Sequence, residues 1–133
     1  MKRKLLFTSC LLLFAALAIS SCSKDDGPNI FKGTNWQTRD MIAEVFYGGT
    51  CYEVIHFIDN KRFEVYSTRN GTVRTYDHEG TYTYNNKTKI VKLVHTDNGC
   101  EKVDEELILV NNGTLKRSID ASDSWPYNTY VKQ

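Results

Sequence analysis

From residue 34 onward the chain alternates short apolar and β-branched runs with polar turn clusters. Almost no stretch repeats an apolar face at helical spacing for three turns. The pattern predicts strands over 34–46, 51–58, 62–69, 72–84, 89–97, 100–110, 114–120 and 124–131. Three Asn-Gly pairs, Asn70-Gly71, Asn98-Gly99 and Asn112-Gly113, punctuate it. Two-residue hairpin turns need positive φ at both central positions and favour this dipeptide, so each pair predicts an antiparallel neighbour and the whole predicts a meander. A two-residue turn at Asn98-Gly99 would set Val94 against Val103, Lys92 against Glu105 and Ile90 against Leu107, apolar on apolar and lysine on glutamate. A three-residue loop at 59–61 places Phe57 opposite Phe63, with Val65 on the same face. Gly80 reads as a bulge or bend and Pro126 as an edge or bulge. Eight such strands can close into an up-and-down barrel or split into a two-sheet sandwich, and the tight hairpins favour the barrel. The expected fold class is all-β, a small eight-stranded antiparallel meander barrel.

The first residues change the picture. Lys2-Arg3-Lys4 precede an apolar run over 5–19, the length of a signal-peptide core and too short to span a bilayer. Ile19-Ser20-Ser21-Cys22 resembles the lipobox of bacterial lipoproteins, which implies lipidation of the Cys22 thiol and cleavage before it; the bland alternative is an ordinary secretory signal. The expected organisation is a signal peptide over 1–21, a lipidated cysteine with a flexible tether over 22–32, and a barrel domain over 33–133. Several acyl chains on Cys22 would hold the protein on a membrane without crossing it. Lys24-Asp25-Asp26 looks like the signal that sends some lipoproteins to the outer face of the outer membrane. The expected location is thus the outer membrane, surface-exposed or periplasm-facing.

Charge and cysteines narrow the chemistry. The precursor has 17 basic and 16 acidic residues, and loss of Lys2, Arg3 and Lys4 leaves a slightly acidic chain with no basic field for nucleic acid. About 112 residues remain after cleavage, enough for one small core. Cys10 leaves with the signal and Cys22 carries lipid, so Cys51 and Cys100 are the candidates for a disulfide outside the cytoplasm. In a meander the two share an end of the barrel, which favours pairing, yet their strands lie across from one another, which opposes it.

His56, His78 and His95 lack metal-ligand spacing, so neither a metal nor another cofactor is expected. Asp77-His78-Glu79 reads as a solvated bend, since neighbours on a strand point to opposite faces. The stretch 101–106 reads as a charged solvated face. No nucleophile elbow, phosphate loop or other catalytic motif appears, and no enzyme activity is expected.

Gly33-Thr34-Asn35-Trp36, Phe57-Ile58-Asp59-Asn60-Lys61-Arg62-Phe63 and Gly80-Thr81-Tyr82-Thr83-Tyr84 together resemble the opening strand, hairpin and tyrosine strand of lipocalin-like domains in bacterial lipoproteins. The resemblance spans about 33–120 and implies a non-enzymatic binding barrel. A small apolar or amphipathic ligand would then lie among Trp36, Phe63, Tyr82 and Tyr84. The alternative expectation is a filled barrel that binds or inhibits a protein partner, since so short an eight-stranded barrel has an interior its own side chains can fill.

Overall fold

Each strand pairs antiparallel with the next and the last returns to the first. The strands β1 (Thr34–Arg39), β2 (Cys51–Phe57), β3 (Arg62–Arg69), β4 (Thr72–Asn85), β5 (Ile90–Asp97), β6 (Glu101–Asn111), β7 (Thr114–Arg117) and β8 (Thr129–Lys132) thereby form a closed eight-stranded barrel. The computed structural model describes residues 29–97, 99, 101–117 and 129–133. Cys22, Cys100, Pro126 and the signal segment lie outside them. No helix among the described residues is long and apolar enough to cross a membrane. Closure gives every strand a partner on both sides, the benefit that makes barrels an economical end for a meander, although β4 from Thr72 to Glu79 pairs with β3 alone.

Alternation along the strands divides inside from outside. Phe57 stands opposite Phe63 and Ile55 opposite Val65, all of them buried, as the three-residue loop at 59–61 requires. Asn70-Gly71 forms the expected two-residue turn, with φ of 50° and 79°, and joins Arg69 directly to Thr72. The loops at 58–61, 86–89 and 112–113 share one rim, here the lower; the loops at 40–50 and 70–71 share the upper.

Four local expectations are corrected. The stretch 34–46 is not one strand: β1 stops at Arg39, and α1 (Met41–Tyr47) follows. Its β-prone composition is overridden at both ends. The Asp40 carboxylate accepts the Ala43 N–H at 2.9 Å, and Gly48, at φ 68°, ends the helix by donating its N–H to the Glu44 carbonyl.

The β5–β6 register is also shifted by one. Asp97 pairs with Glu101, leaving three residues in the connection with Gly99 at φ 72°, the arrangement of a three-residue hairpin. Val94 therefore faces Asp104, Lys92 faces Glu106 and Ile90 faces Ile108. A one-residue slip exchanges faces, so Val91, Leu93 and Leu107 are the residues that point inward.

Asn112-Gly113 turns without positive φ. Instead the Asn111 carboxamide oxygen accepts the Gly113 N–H at 2.9 Å, and a register shift falls between Leu109 and Asn111.

Gly80 is not itself the bulge. Register shifts in β4 leave Arg74 and Asp77 as its extra residues, whereas Gly80 pairs regularly with Phe63 and His95. A Cβ at Gly80 would lie 2.1 Å from the Val94 carbonyl oxygen, so glycine is required there by close approach of backbone.

Candidate functional site

The interior has two halves of different chemistry. In the lower half Phe31, fully buried, packs at ring-centroid distances of 4.9 Å from Phe57, 4.9 Å from Tyr84 and 5.6 Å from Trp36. It is carried by a turn whose residues are fixed one by one. The Phe31 N–H donates to the Asn29 side chain at 3.0 Å, and Gly33, at φ 72°, donates its N–H to the Phe57 carbonyl at 2.7 Å. Asn29 and Phe31, inside the stretch read as tether, thus belong to the packed domain. The Tyr82 hydroxyl donates to the Asp59 carbonyl at 2.6 Å and accepts from the Asn29 carboxamide at 2.8 Å, closing the lower rim.

The four residues that the lipocalin resemblance nominates as a ligand site all belong to this half. Trp36, Phe63 and Tyr82 are 1%, 0% and 3% exposed and Tyr84 is partly buried against them, so the structure brings them together as a filled core. Shape complementarity among aromatic rings, several in tilted or edge-on contact, takes up the space.

The upper half is polar. Arg117 of β7 holds the Glu53 carboxylate of β2 at 3.1 Å and the Glu105 carboxylate of β6 through its Nε, while the Tyr130 hydroxyl donates to Glu53. Burial first, and then the Glu53 carboxylate, push the Tyr130 phenol far above the usual tyrosine range, keeping it a donor. Glu105 lies in the stretch expected to be a solvated face; it turns inward because it shares the face of buried Leu107 and Leu109, and the shifted register sets Leu93 opposite it. The Asp77 bulge similarly undoes the expected divergence of Asp77 and His78. Asp77 accepts from Ser67 at 3.2 Å, and His78 stacks on His95 with centroids 3.9 Å apart. The Nε2 of His78 and the Nδ1 of His95 are buried without a hydrogen-bond partner among the described residues. No strand spacing announces this cluster, because its members come from seven of the eight strands and one of them from a bulge; the one clue was the polarity of alternate positions in β6.

Two predictions arise here. Arg117→Met leaves Glu53 and Glu105 without their cation, and should cost about 2 kcal/mol in urea denaturation. That is below the 3–5 kcal/mol of fully buried pairs because the side chains retain 25%, 29% and 18% exposure; Glu105→Gln in the same background should recover part of the loss. His78 gives the second. Burial, and then the neighbouring His95, hold its pKa below the ordinary 6.5. The unfolded chain therefore takes up the proton first, and the stability that neutral His78 contributes is present above about pH 6.5 and lost as pH falls through the folded-state value. Thermal unfolding should occur at lower temperature at pH 5 than at pH 7.5, and His78→Gln should shrink the difference.

Among the described residues no group of three or more His, Cys, Asp or Glu side chains is placed to hold a metal. Two open, shallow depressions flank the bulged part of β4, one of about 250 Å³ beside Glu64 and Asp77, the other of about 470 Å³ beside Thr81 and Lys102. Neither is lined by Trp36, Phe63, Tyr82 or Tyr84. Cys51 is buried at the upper rim and has no disulfide partner among the described residues; Cys100, its candidate partner, lies outside them.

The upper rim also carries α1, and only its Ala43 is buried. Met41, Ile42, Val45, Phe46 and Tyr47 are 42–83% exposed. Comparison with protein-family models, curated proteins and solved structures finds no match to this chain.

Proposed function

We propose that the chain is a non-enzymatic lipoprotein of the outer membrane, anchored through lipid on Cys22, whose barrel binds a protein partner. The observation that carries the protein-binding half is the filled lower core: with Trp36, Phe63 and Tyr82 at most 3% exposed and sealed beneath Phe31, an apolar guest would have to displace the barrel's own rings. The anchoring half rests on the lipobox resemblance at 19–22. A lipocalin-like carrier of a small apolar or amphipathic ligand is the second reading, and partly buried Tyr84 at the edge of the cluster is the observation that favours it.

Labelled palmitate fed to cells should enter the wild-type chain and not Cys22→Ser; absence from both would overturn the anchor. Native mass spectrometry of the full chain released from membranes should show it alone or with a second protein. A small apolar molecule carried in stoichiometric amount would overturn protein binding in favour of the carrier.

A further inference from the structure

The sequence of α1 is apolar on the side that faces away from the barrel, the reverse of what burial alone would select. Its polar groups are spent on holding it in place. Asp40 caps the helix, and Glu44 takes both an Arg39 ion pair at 2.8 Å and the Cys51 N–H at 3.1 Å. At the other end the Arg69 Nε–H donates to the Gly48 carbonyl at 2.9 Å, and the Arg74 guanidinium sits 4.4 Å from the centre of the Tyr47 ring. Val45 and Phe46, 83% and 77% exposed, are therefore displayed from a rigid mount. Tyr76, 68% exposed, lies on β4 two residues from Arg74, the residue that reaches α1 through Tyr47.

Chemistry and position together define the occupant. Aromatic, Met and Arg side chains on a preorganised support are the composition of protein interface cores. Among the described residues neither Arg69 nor Arg74 has a carboxylate within ion-pair distance, so two guanidinium groups beside the helix are left to meet carboxylates of a partner. The chain enters the barrel at the lower rim, through Asn29 and Phe31, and α1 lies at the upper rim, so a chain tethered through its N-terminal side holds this patch on its far end.

Resting on the protein-binding reading above, we infer that the outward face of α1, with Tyr76 and Arg74, docks a protein surface that presents an apolar projection ringed by Asp or Glu carboxylates. The apolar residues supply the desolvated centre of the contact and the arginines its charge-assisted rim. Affinity of this kind falls with ionic strength, unlike that of a purely apolar contact.

The test uses the full chain in its own cells, with a photo-reactive benzoylphenylalanine at Val45 and, in a separate strain, at Lys87 on the lower rim. The Val45 probe should trap one protein of different sequence, cross-linked within a peptide that contains Asp or Glu. Arg74→Glu should reduce that product at least fivefold and Arg74→Lys much less, with both variants keeping the parent's thermal unfolding; the Lys87 probe should trap nothing. A product that Arg74→Glu leaves unchanged, a cross-link to a second copy of the chain, or a lipid adduct alone overturns the inference. Trapping from Lys87 but not Val45 overturns the α1 surface while leaving the protein-binding reading intact, and trapping from neither overturns both.

Discussion

Phe31→Ala should lower the thermal unfolding midpoint by roughly 12–20 °C, the largest effect expected from removing any one side chain. The ring is fully buried and meets Trp36, Phe57, Tyr82 and Tyr84. Truncating a buried phenylalanine costs about 3–5 kcal/mol in lost transfer energy and cavity, and a domain of this size shifts by about 4 °C or more for each kcal/mol. Phe31→Leu should recover much of the loss, since a leucine still fills part of the plug. If instead the Ala variant melts within a few degrees of wild type, the turn at the lower rim is not part of the cooperative core.

Gly80→Ala should be nearly as damaging, by a different mechanism. The added methyl would sit 2.1 Å from the Val94 carbonyl oxygen, 2.9 Å from Phe63 Cε1 and 3.0 Å from His95 Cβ. The nearest obstacle is backbone, so β4 and β5 must part or Phe63 must leave its rotamer. Overpacking of this kind costs about 3 kcal/mol or more, visible as a fall of about 12 °C or more in the unfolding midpoint. A compensating Phe63→Leu should relieve the second contact and leave the first, so that the double variant regains only part of the stability. Full recovery would place the strain on the ring and not on the strand pairing.

The barrel itself was legible in the chain because its signals are local. Alternating residues, the Asn70-Gly71 turn and the loop at 59–61 each determine a hairpin by themselves, and a meander of eight strands has few ways to end. What escaped depends on choices that nearest-neighbour chemistry does not distinguish. Asn-Gly at 98–99 suits a two-residue turn and, with one more residue, a three-residue one; the difference reverses which side of β5 turns inward, so that Leu93 and not Lys92 stands opposite Glu105. The helix after β1 was signalled only by Asp40, Glu44 and Gly48, against a β-prone filling of Ile42, Val45, Phe46 and Tyr47. The polar half of the interior needed the Asp77 bulge and strands far apart in sequence, and no spacing rule reaches that. Phe31 stood among polar tether residues, and its role follows only from the open lower end that it closes.

The junction of β1 with β8 is short. Register pairing there rests on Trp36 with Lys132 and Gln37 with Val131, whereas β2 and β3 pair along seven positions from Cys51 to Phe57. It is also the one junction whose partners come from opposite ends of the domain, so loop-closure entropy makes it the slowest to form. The nascent protein can therefore zip up most of its hairpins as an open ribbon before it circularises. The same staves should gape first when the native ring breathes, giving this small cask a weak hoop at a fixed place on its circumference.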